Sequence, residues 1–146
     1  MLGPTEAGGT PATLTVPCRR FRCVPCGAVV LVVPRAMLRR RWYSACAIAL
    51  ALALFGIERA SPPAIRGQIS PFGKVGYRAA AGWVTLGRWV DAVRSGQLFP
   101  RVRPSPAAFT RRQVAERAAT TLGSRAPPPM DAPLTVRAFI GAAQVW

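Results

Sequence analysis

The segment Trp42 to Ile57, WYSACAIALALALFGI, constrains the fold more than any other part of the chain. Its alanine and leucine content favours helix. On a 3.6-residue wheel Ile48, Leu52 and Phe55 fall on one side while Leu50 and Leu54 fall on another, so little of such a helix can face water. Only the ridge of Ala49 and Ala53 is small enough for a neighbour's close approach. A helix apolar nearly all round belongs either at the centre of a small helical domain or in a membrane. A span takes about twenty apolar residues, and this run is shorter and interrupted by Ser44. A buried scaffold helix is therefore expected. A short membrane anchor is the alternative, for which the basic patch Arg39 to Arg41 would be a positive-inside flank.

The rest of the chain is punctuated into short elements. Met1 to Pro17 carries Gly, Pro and Thr without periodicity, and no basic stretch precedes an apolar core. It is expected to be a disordered lead and not a signal peptide, which points to the cytoplasm. After a cysteine cluster, the β-branched run Ala28 to Val33 predicts a strand that Pro34 ends. Pro62 or Pro63 opens a short helix to Ile69, followed by a turn from Ser70 to Ala81. A clearer helix spans Trp83 to Ser95, with Leu86, Trp89, Val90 and Val93 in one arc and Arg88, Asp91, Arg94 and Ser95 opposite; Gly96 closes it. Phe99 to Pro106 is a Pro-rich basic connector. Thr110 and Gln113 form a capping box for a helix with the stripe Val114, Ala118 and Leu122, stopped by Gly123. A proline linker, Ala126 to Pro129, leads to a last helix from Leu134 to Val145 that buries Leu134, Phe139, Ile140 and Trp146. The expected organisation is a lead over 1–17, a cysteine knuckle and strand over 18–36, a helical domain over 37–100, and a connector with C-terminal helices over 101–146.

Charge limits the chemistry. Twenty Lys or Arg face five Asp or Glu, a net charge of +15, and there is no histidine. Without imidazole there is no Ser-His-Asp triad, no Cys-His pair and no zincin helix, and the acids are too scattered for a carboxylate dyad. An enzyme is the least expected class, and no small-molecule substrate is implied. All the basic residues except Lys74 are arginine. A GC-rich genome accounts for that choice of Arg over Lys, but the net charge itself points to a polyanion, either nucleic acid or an anionic membrane surface. Arg19-Arg20-Phe21-Arg22 and Arg39-Arg40-Arg41-Trp42-Tyr43 interleave Arg with aromatics, a mixture that pairs phosphate contacts with base stacking. The plainer account is a solvated strand edge with aromatics turned inward, Trp42, Trp83 and Trp89 being core anchors.

Cys23-Val24-Pro25-Cys26-Gly27 has the form of a zinc knuckle, two thiolates on a tight turn with a glycine that lets backbone amides face the sulfurs. A closed tetrahedral site needs two more ligands. Without histidine the candidates are Cys18 and Cys46, so an in-chain zinc site would be Cys18, Cys23, Cys26 and Cys46. The competing accounts are reduced thiols with Cys46 a small core residue, or two disulfides in an oxidising compartment.

The run CRRFRCVPCGAVVLVVPR, followed by RRRWYSACAIALALALFG and GWVTLGRWVDAVRSGQLFP, resembles an uncharacterised group of bacterial proteins related to insertion-sequence transposases. The matching pieces are Phe21, Arg22, Cys23, Cys26 and Gly27 of the ribbon half, the Tyr43-Ser44 pair, and Trp83, Thr85, Leu86 and Trp89. In that group a zinc ribbon precedes a helix-turn-helix region. The resemblance implies a mainly α protein, with a short N-terminal β half-ribbon followed by a small helical bundle of helix-turn-helix type. A full ribbon carries another CxxC upstream of Cys23, where this chain has only Cys18. The acidic catalytic domain of the transposases has no counterpart here. With Pro62 to Ile69 as the first helix of the bihelical unit and Trp83 to Ser95 as the recognition helix, the expected function is non-catalytic binding of double-stranded DNA. Thr85 and Arg88 would reach base edges, and Arg94, Arg78 and Lys74 would contact phosphates. A membrane-associated protein and a protein–protein module are the alternatives, and an ordinary amphipathic helix with a solvated Arg face explains Trp83 to Ser95 equally simply.

Overall fold

In a computed structural model of the chain, the described residues are 1–34, 36–73, 82–128 and 131–144. Among them are two small antiparallel hairpins, β1 (Leu2–Gly3) with β2 (Ala12–Thr13) and β3 (Arg19–Arg22) with β4 (Val29–Val32), and five helices: α1 (Ala45–Gly56), α2 (Pro62–Ile69), α3 (Val84–Arg94), α4 (Arg111–Gly123) and α5 (Leu134–Ala142).

The apolar segment becomes the central helix. Ser44 caps α1, its side chain accepting the Ala47 amide at 3.0 Å, and Trp42 is left outside the helix. Every residue of α1 except Phe55 is buried. Burial on all sides takes several neighbours, and α4 and α5 supply most of them, with α2 and α3 against the remainder. Glycine sets the closest approaches: a Cβ at Gly56 would fall onto the backbone of Glu116 in α4, and one at Gly141 would fall onto the Leu122 carbonyl. The helix is thus a scaffold enclosed by protein, and among the described residues no helix is long and apolar enough to cross a membrane.

The expected boundary after residue 100 is not a structural one. Val114, Ala115, Ala118, Ala119 and Leu122 of α4 and Ala138, Phe139 and Ala142 of α5 belong to the same core as α1. The connector is not simply a solvated loop either. Leu98, Phe99 and Val102 are buried, and Phe99 adopts φ +53°, a region that disfavours bulky side chains, with its ring wholly inside. The capping box forms as the spacing predicts, with the Thr110 amide donating to Gln113 Oε1 at 2.8 Å and the Gln113 amide donating to Thr110 Oγ1 at 3.3 Å. Gly96 takes the left-handed conformation expected after α3, φ +72°.

Two expectations are corrected. The lead over 1–17 contains a hairpin docked on the start of α1: the Leu2 amide donates to Trp42 O at 2.7 Å, the Ser44 amide donates to Leu2 O at 3.1 Å, and Leu2 is buried. Two-residue strands have no periodicity to detect. The second correction is Trp42, which is 81% exposed. The aromatic anchor is instead Tyr43, packed edge-on with Trp83 and Trp89 at centroid distances of 5.9 and 5.1 Å, while the two tryptophans meet at 4.9 Å. Tyr43 also donates its hydroxyl to Ser70 Oγ at 2.9 Å, tying the end of α2 to the start of α1.

The arrangement is a small helical bundle with two hairpins at its N-terminal side. α2 and α3 each pack on α1, and the fuller neighbour of α3 is α4. Most of the turn expected between α2 and α3, residues 74–81, lies outside the described residues.

Candidate nucleic-acid interface and cysteine knuckle

α3 buries Leu86, Trp89, Val90 and Val93 and leaves Arg88 exposed and Thr85 half-buried in its first half, as the wheel predicts. One turn on, Asp91 lies on the exposed side but is held by Arg111 of α4, which donates from Nε at 3.2 Å and from an Nη at 2.8 Å. This fork fixes the register of α3 on α4 and offsets the one acid beside Arg88. Arg94 is used differently. It donates to the carbonyls of Phe109 at 2.6 Å and Ala107 at 3.4 Å, clamping the connector onto α3. Its guanidinium is thereby a structural tie as well as a charge. Lys74 and Arg78, the other expected phosphate contacts, lie outside the described residues.

A denser basic surface arises where the sequence shows only scattered arginines. Arg101 and Arg103 from the connector, Arg117 from α4 and Arg125 just beyond it line an open groove of about 660 Å³ with Phe109, Gln113, Thr120 and Thr121. Arg125 donates to Arg101 O at 3.1 Å, which draws connector and helix end together. Glu116 is the acid in its lining, and it is 4.0 Å from Arg59. These residues come from positions 24 apart, so only the fold of the connector over α4 assembles them; the available signal was Arg density among prolines. Arg112, by contrast, is spent internally, over the Phe55 ring at 4.5 Å and donating to the Phe55 carbonyl at 2.7 Å at the end of α1.

The cysteines sit on the second hairpin. β3 and β4 pair in register, Arg19 with Val32 through Arg22 with Val29, and the Cys23 amide donates to Ala28 O at 2.8 Å to close the ladder. The Gly27 amide donates back to Cys23 O at 2.9 Å, with φ +71° at Gly27. This is the tight turn that the CxxC spacing predicts. A hydrogen bond from the Ala28 backbone and a second from the Cys23 thiol hold the Cys26 thiol below its usual range. The Arg22 guanidinium lies over the same turn, 3.9 Å from where a Cβ on Gly27 would stand.

The expected four-cysteine set does not converge. Cys46 is buried in α1, where desolvation pushes its thiol up, and Cys18 precedes β3 at the other end of the strand with its thiol toward Val16 O. Five residues of extended chain are roughly 16 Å, at about 3.3 Å per residue. Among the described residues no three of His, Cys, Asp or Glu lie close enough to hold a metal ion together. Cys23 and Cys26 are thus the pair that the fold holds together, with Cys18 and Cys46 apart from it.

Both faces of this hairpin are open and mix apolar side chains with arginine. Phe21, Val30 and Val32 lie on one side with Arg19, and Val29, Leu31 and Val33 follow the other with Arg20 and Arg22, all of them exposed. Leu31 and Val33 overlook a cleft of about 1000 Å³ lined also by Met37, Trp42 and Arg39 to Arg41. No protein-family model matches the chain, and no curated protein and no solved structure is similar to it.

Proposed function

We propose that the chain is a non-catalytic, cytoplasmic protein that binds double-stranded DNA. The observation that carries this reading is the groove in which Arg101, Arg103, Arg117 and Arg125 converge. Four guanidinium groups gathered from three segments, in a chain with twenty basic and five acidic residues, suit a row of phosphates better than any single small anion. Arg88 and Thr85, on the first turns of α3, are the residues assigned to base edges, with Asp91 beside them neutralised by Arg111. Arg94, with the groove, is assigned to the phosphate backbone. The transposase-related origin implied by the ribbon half and the Trp83 to Trp89 block remains part of this proposal. Nothing in the enclosure of α1 favours the membrane anchor, whose test is fractionation: a carbonate-resistant membrane pellet would support it against the DNA reading.

Duplex titration at several salt concentrations tests the proposal. Five phosphate contacts, the four groove arginines and Arg94, give a slope of log affinity against log salt near −4.5, at about −0.9 per contact. Arg117→Ala with Arg125→Ala lowers the slope by about two-fifths and weakens all sequences alike, whereas Arg88→Ala relaxes sequence preference with a smaller change in slope. Binding that is absent near physiological salt, or insensitive to salt, overturns the reading.

A further inference from the structure

We propose that the Cys23–Cys26 knuckle is half of a zinc site that two copies of this chain complete together, each giving the same two thiolates. The proposal is independent of the DNA reading, because it uses neither α3 nor the arginine groove.

Ligand arithmetic leads to it. A closed structural zinc takes four ligands, and cysteine thiolates alone can provide them. The hairpin tip presents two, two residues apart on a tight turn closed by the Cys23 amide on the Ala28 carbonyl and the Gly27 amide on the Cys23 carbonyl. The chain has no histidine, Cys46 is inside the bundle and Cys18 is at the far end of β3, so no further cysteine is at hand within the chain. A two-fold axis through the metal doubles the pair to four. Such isologous contacts are the commonest way in which identical chains associate.

The surroundings fit a second copy. The tip is open, with Val24 between the ligands 95% exposed. Strand alternation puts Cys23 on the side of Phe21, Val30 and Val32, and Phe21 and Val30 form a directly opposed pair on that face, each more than half exposed. This face carries one arginine, Arg19, against Arg20 and Arg22 on the opposite one, so its exposed Phe21–Val30 patch is the side that a second copy covers with the least charge repulsion. Charge is consistent as well. Zinc binding by four thiols releases four protons to solvent with no change of oxidation state, leaving a tetrathiolate centre of net charge −2. The Arg22 guanidinium over each turn offsets one of those charges per copy.

The test uses the full chain, purified with a thiol reductant and titrated with zinc chloride while zinc content and sedimentation are measured. The expected end point is one zinc per two chains, with the monomer converted to dimer and reverted by EDTA. Cobalt in place of zinc should give tetrahedral thiolate absorption at the same stoichiometry. Cys23→Ser and Cys26→Ser should each abolish dimer formation, whereas Cys18→Ser and Cys46→Ala leave it intact. Phe21→Ser with Val30→Ser, which keeps every ligand, should weaken the metal-linked dimer at least tenfold. One zinc per monomeric chain, no zinc uptake by the wild-type chain, or a zinc dimer that persists in Cys23→Ser overturns the proposal. The wild-type stoichiometry decides even where a variant fails to fold.

Discussion

At the scale of single residues, side chains of the same type have opposite roles according to which element carries them. Trp89 is buried against Tyr43 and Trp83, so Trp89→Ala should cost about 3–5 kcal/mol in denaturant unfolding. Trp42, three residues before the start of α1, should change stability by less than about 0.5 kcal/mol on the same substitution. Both tryptophans stand beside apolar helical runs in the sequence; what separates them is that α1 starts only after Ser44, and that Tyr43 rather than Trp42 turns onto Trp83 and Trp89 in the folded bundle. The cysteines divide similarly. Thiolate is the reacting species, so Cys26, with its thiol held down by the Ala28 and Cys23 hydrogen bonds, should be alkylated by iodoacetamide fastest near neutral pH. Cys46, whose thiol burial pushes up, should react only on unfolding. Peptide mass mapping over time reads both rates, and equal rates for the two would contradict this division. The CxxC turn was legible from spacing, since two residues between cysteines and a following glycine are a local constraint. The separation of Cys46 from it was not, being a matter of where α1 sits.

At the scale of elements, local chemistry fixed where helices begin and end, and glycine fixed how closely they approach. The boundaries of α3 and α4 follow from the Gly96 stop and the Thr110–Gln113 box, both short-range devices. Thr110→Ala should cost about 1 kcal/mol, the usual loss for an N-cap hydroxyl. Gly56→Ala should cost more, on the order of 1–3 kcal/mol from overpacking, although alanine is the better helix former, because the added carbon meets the α4 backbone and not a movable side chain. Thermal unfolding of the two variants orders them; a neutral or stabilised Gly56→Ala would refute the close α1–α4 crossing. The sequence gives no hint of this requirement, since Gly56 resembles an ordinary C-terminal stop. The lead hairpin is illegible in the sequence for a different reason: its two-residue strands carry no pattern, and Leu2 is held by hydrogen bonds to residues forty and forty-two positions away in the chain.

For the whole molecule, the core and the cysteine hairpin are energetically distinct. α1 is enclosed chiefly by α4 and α5, so removing 111–146 uncovers its apolar sides and should abolish the cooperative thermal transition. Replacing 18–33 with a short Gly-Ser linker should leave that transition and the helical circular dichroism nearly unchanged, because the residues of β3 and β4 are all exposed. Loss of the transition in the second variant would mean that the hairpin belongs to the core. The same partition places the proposed DNA groove on the bundle and the proposed zinc half-site on the hairpin, so each can be disabled without the other.

The sequence alone determined the central helix, the ends and stripes of α3 and α4 and the CxxC turn, because each depends on side chains within a few residues of one another. Only the tertiary structure decided that the C-terminal helices complete the core, that Trp42 stays outside, that Arg94 is tied to the connector and that Arg101, Arg103, Arg117 and Arg125 meet. Those outcomes depend on which surface of α1 each later segment covers, and an apolar helix with several equivalent faces does not encode that choice locally.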